Sequence, residues 1–172
     1  MPKLRQSDER ISHGVNLLIS ILVRYPEIGT INFDAEKHTL KLSFMLSKIP
    51  ENKRFSTFKN LVLSSISAYH VLEGTKAVTS DISLCTFENM AMVTVLRDVA
   101  TLSKGEIALI IVLLRENLKD QLVADENDSM LEEELLVQEE VIDSMLENVK
   151  TGDNTNGLIG IREDGRVLVF NK

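Results

Sequence analysis

An α+β fold, with antiparallel hairpins forming a sheet that helices cover, follows from three features of the sequence. Apolar residues recur at helical spacing in some segments and alternate in others. These segments come in the order helix, strand, strand twice over, before a third helix. Near the end, Asp164-Gly165 between two alternating runs is a strong short-range hairpin signal, because both central residues of a type I′ turn must accept positive φ. The expected order is α-ββ-α-ββ-α, then an acidic amphipathic helix and a C-terminal β-hairpin.

Ser7 is placed to cap the first helix, with Asp8 and Glu9 in its first turn. Ile11, Val15, Leu18 and Leu22 mark its apolar face, and Pro26 ends it. Ile31 and Phe33, the polar turn Asp34 to Lys37, and Leu40, Leu42, Phe44 and Leu46 make a hairpin with one buried face. Pro50-Glu51-Asn52 opens a second helix, carried by Phe58, Leu61, Val62, Ser65, Tyr69 and Leu72 and closed by Gly74 as a left-handed cap. Val78, Ser80, Ile82 and Leu84 alternate, Glu88-Asn89 turns the chain, and Met90 to Leu96 returns.

Leu102-Ser103-Lys104-Gly105-Glu106-Ile107 holds a capping box, Ser103 with Glu106, inside a hydrophobic staple, Leu102 with Ile107. In the helix it starts, Ile107, Ile110, Ile111, Leu114, Leu118 and Leu122 cover one broad face, and Leu109, Val112 and Leu113 make it apolar almost all round, so it belongs in a central position. Ser129 and Glu132 offer another capping box for a helix that runs to about Val149. A flexible linker, 151–157, then leads to the hairpin, whose turn sets Ile159, Ile161, Leu168 and Phe170 on one face. The division expected is a core domain over 1–123 and an arm over 124–172.

Charge is polarised. Residues 125–149 hold ten of the 26 acidic residues and no Lys or Arg, leaving sixteen acids against nineteen Lys and Arg elsewhere. Within that segment Leu131, Leu135, Gln138, Ile142, Met145 and Val149 follow the 4-3 spacing of a helical seam, and Glu132, Glu133, Glu139, Glu140, Asp143 and Glu147 fall on the opposite side. Such a stripe must bury against its own domain or against a partner. A net charge of −7 and a pI near 5.0 disfavour general nucleic-acid binding, which needs clustered cations to displace phosphate counterions. The one local exception is Lys48, Lys53, Arg54 and Lys59, interleaved with Phe55 and Phe58. Cations there oppose the helix dipole, and an acidic cover would relieve them.

No motif for catalysis or a cofactor accompanies these features. His13, His38 and His70 lack metal-ligand spacing. Cys85 sits in an alternating run that suits a small buried thiol, and a single cysteine cannot form an internal disulfide. Asp81 should face away from the apolar positions beside it. Val15 to Val23 is too short to span a bilayer. No cofactor, metal or membrane partner is therefore expected, and the cytoplasm is the default compartment. The leading expectation is a non-enzymatic interaction or regulatory protein, homodimeric through its acidic helix and hairpin, with contacts at Leu131, Leu135, Ile142, Met145, Val149, Ile161, Leu168 and Phe170. The alternatives are a nucleic-acid-associated factor using the Lys48–Lys59 patch, guarded by the acidic helix, and a small enzyme with an unmarked carboxylate site.

Overall fold

Helical and alternating segments appear in the expected order in the computed structural model, which describes residues 2–124, 131–151 and 157–171, with the backbone alone for 2–12 and 151. The elements are α1 (Pro2–Arg24), β1 (Ile28–Asp34), β2 (Thr39–Leu46), α2 (Asn52–Glu73), β3 (Ser80–Phe87), β4 (Met90–Asp98), α3 (Lys104–Leu118), α4 (Glu132–Thr151), β5 (Leu158–Glu163) and β6 (Arg166–Asn171). All strand pairings are antiparallel and join one sheet in the order β3-β4-β2-β1-β5-β6.

The first helix starts at Pro2 rather than Ser7. Proline suits the first helical position because its missing N–H would be unpaired there anyway. Local chemistry sets the other boundaries. Gly74 adopts φ 72 and its N–H bonds back to the last turn of α2. Ser103 caps α3 by accepting from the Glu106 N–H. Asp34 accepts from the N–H groups of Glu36 and Lys37 and shapes the first hairpin turn. Asp164 and Gly165, at φ 49 and 75, form the positive-φ pair of a type I′ turn.

The period of two gives the sheet two different faces. Ile31, Phe33, Leu40, Leu42, Phe44, Ile82, Val93, Val95 and Leu158 point to one side and are buried. The helices lie on that side. An added Cβ on Gly160 would stand 3.0 Å from Leu22 and 3.4 Å from Leu18, so this glycine lets α1 settle close against β5. α3 fills the middle, with Ile107, Ile110, Ile111, Leu114 and Leu118 all buried, but it ends at Leu118, so the expected Leu122 lies past the helix in a bridge to Leu46, and Val112 on its outer side is 44% exposed. The buried stripe of α2 is Phe58, Val62, Ile66 and His70, not the expected Leu61, Ser65 and Leu72. Leu72 is 87% exposed, because strict i+4 steps hold the packed face of α2 toward α3 and turn position 72 to solvent.

The two elements of the expected arm pack on the N-terminal part of the chain. β5 pairs with β1, so the terminal hairpin extends the sheet and β6, not β5, becomes the edge strand on that side. Arg162 on β5 donates to the carbonyls of Leu22 and Tyr25 and to that of Ile28, capping the C-terminus of α1. α4 lies along α1 and also touches α3. The Ser129 cap, Asp125, Glu126 and Asp128, and residues 152–156 of the expected linker lie outside the described residues.

Candidate interaction surface

The second face of the sheet has no helix on it among the described residues. By register it presents Leu168 and Phe170 on β6, Ile159 and Ile161 on β5, Thr30 and Asn32 on β1, Lys41, Ser43 and Met45 on β2, and Met92, Thr94 and Leu96 on β4. β3 continues it with Asp81, Ser83, Cys85 and Phe87. Its centre is polar, and Ser43 and Thr94 share a hydrogen bond of 3.3 Å across strands. Its β5–β6 end is apolar: Ile161 faces Leu168, Ile159 faces Phe170, and Phe170 is 49% exposed. Val167 and Val169, the alternate residues of β6, turn toward α1. The expected shared face of the hairpin is therefore present, and it is the open one.

The seam on α4 is used within the chain. Ile142, Leu146 and Val149 are buried, Leu135 and Met145 are half-buried, and Leu131 is exposed. Arg24, at the end of α1, donates two hydrogen bonds of 3.0 and 2.8 Å to Glu139. Of the eight candidate partner-contact residues, Ile142 and Val149 are thus covered in cis, whereas Ile161, Leu168 and Phe170 come together on the open face. Glu132, Glu133, Glu140, Asp143 and Glu147 face solvent.

Two of the four cations at the start of α2, Arg54 and Lys59, have acidic partners. Arg54 donates to Asp120 at 2.8 Å and to the Asn117 carbonyl, and this bond holds the Asp120 carboxyl below the usual carboxylate range. Lys59 pairs with Asp81 at 3.5 Å. Lys53 and Arg54 line an open cleft of about 320 Å³ together with Phe58, Leu61 and Asn117, and Lys48 is exposed. Among the described residues α4 makes no contact with α2.

A buried polar cluster lies on the covered side, where β4, α2 and α3 meet. Arg97 follows Val93 and Val95 on the inward face of β4 and is 1% exposed. Its guanidinium donates to Glu106 at 2.5 and 2.8 Å, to the Thr79 carbonyl at 2.7 Å, to Thr101 at 3.0 Å and to Asp98, which commits all five N–H groups. Glu106 also accepts from His70 Nε2, and His70 Nδ1 meets the Thr75 hydroxyl at 2.7 Å. Asp98 accepts from the N–H groups of Val78, Thr79 and Thr101 and from the Thr101 hydroxyl. Burial raises the Asp98 pKa, but the Thr101 and Thr79 hydrogen bonds and the Arg97 charge outweigh it and hold the carboxyl at about 2. The capping box is therefore only half formed. The Glu106 carboxylate leaves the exposed helix end for charge-assisted bonds to a buried guanidinium, which are the stronger kind.

This cluster was invisible to spacing rules because its members come from four segments. One signal was present: Arg97 occupies a position whose parity demands an apolar side chain. Every oxygen of Glu106 and Asp98 and every N–H of Arg97 has a partner inside the protein. The arrangement is a clamp on three elements.

The other singled-out residues are dispersed. His38 sits in the β1–β2 turn at φ 56, with its ring edge-on to Phe33, and His13 lies on α1. Among the described residues no three His, Cys, Asp or Glu side chains are grouped to hold a metal ion. Cys85 is exposed on the open face, not in the core, because β3 is an edge strand with only one side covered. Asp81 faces out, as its parity requires. No helix among the described residues is long and apolar enough to cross a membrane. The chain matches no protein-family model, no curated protein and no solved structure.

Proposed function

We propose that the protein is a non-enzymatic interaction or regulatory protein of the cytosol, homodimeric, that makes its contact through the C-terminal hairpin. The observation that carries this reading is the apolar end of the sheet, which no helix covers among the described residues. Ile159, Ile161, Leu168 and Phe170 form one continuous patch, whereas the buried polar cluster has every charged group partnered inside the protein. α4 contributes indirectly: it grips α1, and α1 with the Arg162 cap holds the hairpin in place. The exposed thiol of Cys85 suits a reducing compartment.

Light scattering tests the reading. The protein is expected at twice the 19.3 kDa chain mass. Phe170→Glu is expected to shift it to the single-chain mass without changing its circular dichroism, because Phe170 adds little to the core. A wild-type protein that stays at single-chain mass up to high micromolar concentration removes the homodimer.

A further inference from the structure

The two edges of the sheet are not equally protected. At the β3 edge, Lys59 on α2 reaches across to Asp81 on the open side, so an ion pair lies over the strand, and the strand itself reads Ser-Asp-Ile-Ser-Leu-Cys-Thr-Phe. Placing charge, lysine above all, on an edge is a recurrent guard against strand addition. The β6 edge has no such device among the described residues. Its centre is Val167-Leu168-Val169-Phe170, without charge, proline or bulge, and its pairing with β5 is regular throughout.

The hairpin geometry also fixes which backbone groups are open. In a two-residue type I′ hairpin the flanking residues, Glu163 and Arg166, form a hydrogen-bonded pair, and such pairs recur every second residue. Arg166, Leu168 and Phe170 therefore spend their N–H and C=O groups on β5. Val167, Val169 and Asn171 point theirs outward, away from the sheet.

We infer that β6 pairs antiparallel with β6 of a second copy, about a two-fold axis at Val169, joining two six-stranded sheets into one. This rests on the interaction reading above and names the strand that carries it. An isologous antiparallel contact matches the donors and acceptors of each copy to those of the other. With Val169 opposite itself and Val167 opposite Asn171, all three outward residues pair, giving about six backbone hydrogen bonds. On the open face the same register sets Leu168 against Phe170 of the other copy. No charged residue of β6 falls inside the paired stretch, since Arg166 lies beyond its end. A second copy is favoured over an unrelated strand because the register that pairs every outward group also makes the apolar residues complementary to themselves.

Three measurements on the full chain decide it. Val169→Pro removes an outward N–H while leaving the β5 ladder intact, since proline is tolerated on an edge where its nitrogen faces away from the sheet. Thr30→Glu charges the open face on β1, two strands in from the edge and outside the Ile159–Phe170 patch, where edge pairing does not reach. The β6 pairing predicts that light scattering gives the single-chain mass for Val169→Pro and twice that mass for the wild type and for Thr30→Glu. The reverse pattern, dimer with Val169→Pro and monomer with Thr30→Glu, shows open faces stacked on each other; it overturns the β6 pairing and leaves the interaction reading standing. A wild-type monomer at every concentration overturns both. Should Val169→Pro lower the thermal midpoint, amide exchange in the wild type decides instead. Protection of Val167, Val169 and Asn171 that rises with protein concentration supports the pairing, and exchange independent of concentration overturns it.

Discussion

One sheet carries two faces that solve opposite problems. On the covered face apolar strands meet helices, and even the charges there, Arg97, Glu106 and Asp98, are tied to one another through Arg97 and to neighbouring polar groups. On the open face Ser43 and Thr94 bond across strands, and among the described residues the apolar β5–β6 end has no helix over it. Alternation with period two is the same on both, so apolar parity alone does not distinguish core from contact surface. The difference lies in what packs above it: long-range contacts from α1, α3 and α4 that no local pattern encodes.

The largest effect should come from breaking the clamp. Arg97→Met leaves Glu106 and Asp98 buried without their cation and is expected to cost about 3–5 kcal/mol in urea denaturation, near the whole stability of a small domain. Replacing Arg97 and Glu106 together should cost less than the sum of the two single changes, because neither leaves the other's charge stranded. An additive double variant would show that the two do not act as a unit.

Next come the faces themselves. Leu114→Ala, at a position with no exposure, should lose about 2–5 kcal/mol through transfer and cavity terms, whereas Leu168→Ala on the open face should cost less than about 1 kcal/mol in a monomeric background. Equal denaturation midpoints for the two variants would erase the distinction between the faces.

Much of this was legible in the sequence, and the failures are instructive. The element order, the Gly74 cap, the Ser103 cap and the Asp164-Gly165 turn depend on neighbours within a few residues, and all appear. The grouping of Ile161 with Leu168 followed from the turn alone. The pairing of β5 with β1, the cis docking of α4 on α1 and the convergence of His70, Arg97 and Glu106 depend on segments far apart, where sequence spacing carries no information. The buried register of α2 departs from the expected one because His70, not Leu72, has a buried partner, Glu106, which lies 36 residues away and leaves no local pattern.

Acid should act through the clamp next in size. The Asp98 carboxyl is lowered in the folded state to about 2, so its contribution is present above its unfolded value near 3.8 and lost as pH falls from about 4 through about 2. It should amount to at most about 2 kcal/mol. Asp98→Asn should flatten the stability profile over that window; an unchanged profile would mean that another carboxylate sets it.

The smallest expected effect is at a turn. Glu88 holds φ 55, a left-handed conformation that costs a side chain energy and glycine almost nothing. Glu88→Gly should stabilise by up to about 1 kcal/mol, raising the thermal midpoint by a few degrees. A lowered midpoint would show that the Glu88 side chain makes a contact that outweighs the strain.

The docking of β5 and α4 onto α1 bears on how the chain reaches this state on the ribosome. Arg24 meets Glu139 across 115 residues, and Arg162 caps α1 from further still. Chains grow at about 5–20 residues per second, so the apolar side of α1 emerges several seconds before the segments that will cover it exist. Through that interval Leu17, Leu18, Ile21 and Leu22 have only part of their native surroundings. Such a nascent chain carries apolar surface of the kind chaperones cover, and β5 cannot seat beside β1 until residues 158–163 have been made.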